Sequence, residues 1–150
     1  MSLQEQLSND LKGFLKAGNQ LGTSVLRMIV SVIHNKALEK WAKKGTDNLT
    51  DEEVIQILST EVKKRREASE AFEKGQRQDL ADKEKQEATI ILKYLPAQMD
   101  FSSIEKVVDR IVNKNKVSDF GQAMKIVMAE LRGKADAKII SDILKKKLSQ

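Results

Sequence analysis

The sequence predicts an all-α, multihelical protein: a four-helix N-terminal part with a projecting helical hairpin, followed by a three-helix C-terminal tail domain. Three observations carry this expectation. Apolar residues recur at intervals of three and four throughout, and no stretch alternates strictly as a half-buried strand would. Seven glycines and one proline are too few for the many turns of an all-β sandwich. That one proline, Pro96, follows Tyr94-Leu95, removes a backbone donor and pushes its predecessor out of the helical region. It closes a helical domain over 1–96 and opens a tail domain over 97–150, a division that 150 residues can support as two small packing units.

In the first part, Leu3, Leu7, Leu11 and Leu15 define a helix ending near Gly18. Leu21, Val25, Met28, Ile29, Val32 and Ile33 drive a longer one, apolar around much of its girth and so the central helix of the unit. It runs past Ala37 and Trp41 and stops at Lys43-Lys44-Gly45, with cations in the last turn and a glycine after them. The third helix opens on a capping box, Thr50 with Glu53, and shows Val54, Ile57, Leu58 and Val62 to the core. It then turns polar, with only Ala68 and Phe72 continuing the stripe. A fourth helix runs from about Arg77 to Tyr94, so the third and fourth form a long hairpin.

The tail reads as three short helices. Asp100 caps the first, Met99 is placed to staple onto Ile104, and Val107, Val108, Ile111 and Val112 face inward. Ser118 opens the second, with Phe120, Met124, Val127, Met128 and Leu131 inside. Asp136 caps the third, with Ile139, Ile140, Ile143, Leu144 and Leu148 inside. Each is only about three turns long, so tertiary packing must hold them.

Catalytic chemistry is hard to build from these residues. With no cysteine and one histidine, disulfides, thiolate nucleophiles and His/Cys metal clusters are excluded. His34 reads as a partly buried helix residue. Asp51-Glu52-Glu53 sit side by side at a helix start, where they offset the dipole better than they converge on an ion. Gly18 and Gly22 lack the Gly-Lys-Ser/Thr of a phosphate loop. The expectation is a protein with no catalytic residues, no metal site and no cofactor. The polar, acidic Gln4-Glu5-Gln6 breaks any secretory leader, and the most apolar stretch, 25–33, is too short to cross a bilayer. A cytoplasmic protein without a membrane span follows.

The charge is uneven. Residues 1–96 carry 16 Lys+Arg against 15 Asp+Glu, whereas residues 97–150 carry 11 against 7, a net of +4. The Lys63-Lys64-Arg65-Arg66 run is partly neutralised at helical spacing, Lys63 by Glu67 and Arg66 by Glu70. Arg65 lies on the extension of the apolar stripe, placed to pair with Asp79 or Glu84 across the hairpin. In the tail, Arg132-Gly133-Lys134-Ala135-Asp136 joins the last two helices, and Lys138 lies in the first turn beyond. A glycine exit, a helix N-terminus and three cations make a corner suited to a phosphate, although Asp136 competes for the amides. Lys125 adds charge along the preceding helix. Lys125, Arg132, Lys134 and Lys138 are therefore the candidate RNA-binding residues. With few aromatics, recognition would rest on shape and phosphates. Gly121, inside the middle tail helix, points to close helix packing or a close ligand.

Lys64-Arg65, Phe72, Gly75, Arg77, Asp79-Leu80, Glu87 and Tyr94-Leu95-Pro96, in this order and spacing, resemble the GatB/YqeY family, in its free-standing YqeY branch. Gly121, Met124, Met128 and Gly133-Lys134-Ala135-Asp136-Ala137-Lys138 extend the resemblance over essentially the whole chain. Two departures stand out: family members usually have glycine directly before the arginine, where this chain has Gln76, and glycine after the tail aspartate, where it has Ala137. The resemblance implies a two-part helical protein similar to the C-terminal region of the B subunit of the tRNA-dependent amidotransferase. That carbon–nitrogen ligase makes Gln- or Asn-tRNA with ammonia from glutamine. In that subunit the region helps to hold tRNA and contains no active site, so the implied partner is tRNA or structured RNA. The alternative is a protein-interaction scaffold using the 63–90 hairpin.

Overall fold

The computed structural model describes residues 1–149. It contains seven α-helices and, among those residues, no strand. They are α1 (Leu3–Ala17), α2 (Gln20–Lys44), α3 (Asp51–Lys74), α4 (Gln78–Leu92), α5 (Phe101–Asn115), α6 (Phe120–Leu131) and α7 (Ala137–Leu148). The chain divides into two compact units, Met1–Leu95 and Pro96–Gln150. None of the helices is long and apolar enough to cross a membrane.

In the first unit α2 is central, burying Val25, Leu26, Ile29, Ile33 and Ala37 and packing against α1, α3 and α4. Gly22 permits the closest approach of α1: a Cβ there would lie 2.7 Å from the Phe14 ring. The acidic cluster at the start of α3 is used structurally. Glu53 accepts from the Thr50 amide at 2.7 Å and from Lys40 Nζ on α2 at 2.9 Å, and Asp51 accepts from the Leu3 amide at 3.0 Å. The Lys40 hydrogen bond, then the Thr50 amide, hold the Glu53 carboxyl below its ordinary range. Tyr94 Oη donates to Asp10 Oδ2 at 2.6 Å, tying the end of the unit to α1. Burial and then that carboxylate push the phenol above its usual range.

α3 and α4 pack together, and the small residues Ser69 of α3 and Ala81 and Ala88 of α4 are buried. Between them lies a buried charge network that periodicity did not foresee. Glu61 is 4% exposed. It accepts from Arg65 Nη1 at 2.8 Å and from Lys64 Nζ at 3.2 Å. Arg65 Nη1 also donates to the Glu61 carbonyl, and Nη2 approaches Met28 Sδ on α2 at 3.7 Å. Arg65 Nε stands 3.5 Å from Glu87 Oε2, within ionic reach but without hydrogen-bond alignment. The partners of Arg65 are thus Glu61 and Glu87, and not Asp79 or Glu84 as the sequence suggested. The register explains this: Arg65 stands eleven positions before Gln76 at the turn and Glu87 eleven after, while Asp79 is taken by Arg77 at 3.2 Å.

The turn falls at one of the two departures from the pattern that the resemblance implies. Gly75 has an ordinary φ of −83°, and Gln76 takes the left-handed conformation at φ 59°. This is the position directly before the arginine for which the resemblance implies glycine, the residue that accepts such a φ without steric cost. His34, expected to be partly buried, is exposed on the outer side of α2.

The second unit buries Ile104, Val108, Ile111, Ala123, Val127, Leu131, Ile140, Ile143 and Leu144 among its three helices. Asp100, Asp119 and Asp136 cap α5, α6 and α7 respectively, so Asp119, one residue beyond the expected Ser118, opens the middle helix. Two residues expected inside are outside. Phe120 is the first residue of α6 and lies under Lys145 Nζ, 5.8 Å from the ring centroid. Ile139 is 39% exposed because Ile140, Ile143 and Leu144 form the inward stripe of α7.

Three outcomes are expected. Gln76→Gly should raise stability by about 0.5–1 kcal/mol in urea unfolding, the relief of left-handed strain exceeding the added chain entropy. Arg65→Leu, which leaves the buried Glu61 carboxylate with Lys64 alone and removes the cation beside Glu87, should cost about 3 kcal/mol, and adding Glu61→Leu should recover part of that loss. Glu53 has a depressed folded pKa, so its stabilisation is present above the unfolded carboxylate range and is lost as pH falls through the folded value. Melting curves of wild type and Glu53→Gln should therefore be separated at neutral pH and converge only in acid, as pH falls through that lowered folded value.

Candidate nucleic-acid interface

The end of α6 and the beginnings of α5 and α7 meet at one corner of the second unit. After Leu131 the chain leaves α6 at Arg132, and Gly133 adopts φ 78° while buried. Only glycine combines a left-handed φ with that enclosure at no steric cost. The Lys134 amide then returns to the Leu131 carbonyl at 2.9 Å. The segment preceding α5 fixes the corner from the other side: Gln98 Nε2 donates to the Gly133 carbonyl at 2.7 Å, and the Met99 amide to the Lys134 carbonyl at 2.9 Å. These two ties went unforeseen, because a single-residue reading does not show which loops meet. With both carbonyls turned inward, the exposed Arg132 and Lys134 side chains flank the buried glycine.

Lys138 follows in the first turn of α7, also exposed. Its amide is held by Asp136 Oδ1 at 2.8 Å, as the sequence foresaw, so that amide is occupied while the ammonium stays in solvent. Lys125 lies on the exposed side of α6, seven positions before Arg132 and so about two turns back along the helix. The structure therefore gathers Arg132, Lys134 and Lys138 into a seven-residue stretch at the corner and sets Lys125 along the flank leading to it.

The acids of this unit are distributed differently. Asp100, Asp119 and Asp136 serve as caps. Hydrogen bonds from the Ser103 side chain and then its amide hold Asp100 below the ordinary carboxylate range. Glu130 receives a two-oxygen pair from Arg110 Nη2 at 2.6 and 2.7 Å, and Asp109 receives Lys147 at 3.1 Å. Glu105, Asp109 and Asp142 line a groove between α5 and α7 of about 340 Å³, beside the exposed Phe101. None of the four candidate cations has a carboxylate partner among the described residues. They are solvated positive charges near two helix N-termini, and such an arrangement attracts anionic oxygens.

Gly121 is exposed, and an added Cβ would meet only Asp119 Oδ2 at 3.5 Å, an ordinary contact. The close helix approach expected there is absent, and nothing in the structure explains the glycine.

Comparison with known proteins places this geometry in context. A curated relative from Clavispora lusitaniae, Altered inheritance of mitochondria protein 41, mitochondrial, is 31% identical over 121 residues, covering 79% of this chain and 67% of its own length. A Schizosaccharomyces pombe protein named only as uncharacterised is 30% identical over 96 residues, covering 63% of this chain and 73% of its own. The family model described as Yqey-like protein matches residues 4–148, nearly the whole of both units, and the chain belongs to that family.

Proposed function

We propose that this protein is a non-catalytic, RNA-associated helical module, kin to the tail of the Glu-/Asp-tRNA amidotransferase, whose second unit holds the phosphate backbone of tRNA or another structured RNA. One observation supports the reading above others: Arg132, Lys134 and Lys138 are exposed at a hydrogen-bonded corner with no carboxylate pairing among the described residues, whereas Arg110 and Lys147 of the same unit are paired. The corner's backbone is fixed by Gln98, Met99 and the buried Gly133, so the cations project from a firm base. Their role is electrostatic, as phosphate ligands, with Lys125 extending the contact along α6. No cofactor is needed, and the reading keeps the protein in the cytoplasm.

The alternative scaffold role for the 63–90 hairpin finds less support on that hairpin itself. Phe72 and Leu80 are half-buried, and the large exposed apolar side chains of the first unit lie on α1 and α2 or at Met1.

A gel-shift titration against tRNA at several salt concentrations tests the proposal. With about three or four phosphates neutralised, log affinity should fall with log salt at a slope of about −3, and Lys134→Glu/Lys138→Glu should flatten that slope by about 2. Circular dichroism should be the same for both proteins. Equal binding and equal slopes would reject the assignment.

A further inference from the structure

Phe101 is the most exposed large apolar side chain of the second unit, at 59%, and Ile139 is also uncovered. They belong to the first turns of α5 and α7. Lys147 of α7 meets Asp109 of α5 at 3.1 Å, and these two follow Ile139 and Phe101 by the same eight positions. Starting at one corner and still paired two turns later, α5 and α7 run side by side in the same direction. Phe101 and Ile139 therefore stand at about the same height, at the corner end of the groove that Phe101 lines with the buried Ile143.

The same end carries the cations. Phe101 stands two positions after Met99, whose amide donates to the Lys134 carbonyl at 2.9 Å, and Ile139 directly follows Lys138. An exposed phenyl ring and two unpaired ammonium groups thus share one hydrogen-bonded base. Farther along the groove the charge reverses. Glu105 and Asp142 lie one turn beyond Phe101 and Ile139, Asp109 is paired with Lys147, and Lys146 alone opposes the two free acids. A polyanion is drawn to the corner and repelled from the groove, so the group that enters beside the ring must be uncharged. A nucleotide has this polarity, with a phosphate at one end and a neutral planar base at the other.

We propose that Phe101 is a stacking platform for one unpaired base of the bound RNA, with Ile139 beside it and the adjoining phosphates held by Lys134 and Lys138. This deepens the RNA assignment above and rests on it. Stacking on an aromatic face accepts any base, so the platform selects an unpaired nucleotide and not a sequence. Phosphate attraction alone makes no such distinction between paired and unpaired RNA.

The test uses two synthetic RNA hairpins with one stem sequence, one fully paired and one carrying a single bulged 2-aminopurine. Wild-type protein should bind the bulged hairpin about tenfold more tightly and change the emission of the bulged base. Phe101→Ala should bind both hairpins alike, at the wild-type affinity for the paired one and with the same salt slope, whereas Phe101→Tyr should keep the preference. Lys134→Glu/Lys138→Glu should weaken both hairpins by a similar factor. Circular dichroism should be unchanged throughout, since Phe101 is exposed. If neither hairpin binds, or the lysine variant binds both as wild type does, the RNA assignment fails and the platform with it. If the lysine variant weakens both but wild type shows no preference, or Phe101→Ala keeps it, the RNA assignment stands and the platform is rejected. Loss of binding by Phe101→Ala to anionic phosphatidylserine vesicles alone, with both RNA affinities unchanged, rejects it equally.

Discussion

Arg65 is the interior charge on which the first unit depends. A guanidinium in a helical hairpin must be satisfied from more than one side, and here α3 supplies Glu61, α4 supplies Glu87 and α2 supplies the Met28 sulfur. Each partner is held at one height along its helix, so the network sets the register of α3 against α4. Packing of small buried side chains such as Ser69, Ala81 and Ala88 would by itself tolerate a slip of a turn far more easily. This also explains why a charged run sits in the middle of a core-facing helix. Lys64 neutralises the second oxygen of Glu61 from solvent while Arg65 holds the first from within.

The second unit solves a different problem. Its helices are short, and each opens on an aspartate that accepts a backbone amide of the first turn. Fixing acids at helix starts leaves Asp136 as the one carboxylate within the 132–138 stretch, against Arg132, Lys134 and Lys138. An excess of positive charge in the tail thus becomes a localised feature of the surface. A sequence with the same composition but with the acids at mid-helix would pair them with lysines one turn away and lose the localisation.

Much of this was readable from residues alone, because the determinants are local. The Thr50–Glu53 box, the Asp100 and Asp136 caps, the glycines after α1 and α2, and the three-and-four spacing each act within a turn or two of themselves. What escaped depends on which elements meet. The burial of Glu61 follows from an arginine one turn on and a glutamate across the hairpin, though its place on the stripe of Ile57, Leu58, Val62 and Arg65 was a visible hint. Phe120 and Ile139 are apolar and correctly spaced, yet they fall at the first turns of their helices and outside the inward stripes. Likewise the exposure of Trp41 depends on which helices of the first unit pack on which side of α2, which no property of tryptophan foretells. At the candidate interface the four cations were evident, whereas their anchoring by Gln98 and Met99 was not.

The bond from Tyr94 to Asp10 spans 84 positions and joins the last turns of the first unit to its first helix. During synthesis on the ribosome, α1 leaves the exit tunnel long before its closing partner has been made. Until then its carboxylate remains hydrated, and the nascent unit lacks the contact with the largest loop-closure cost. Completion of this unit must therefore wait until Tyr94 and the late residues packed with it, Ile91 and Leu95 among them, have been translated.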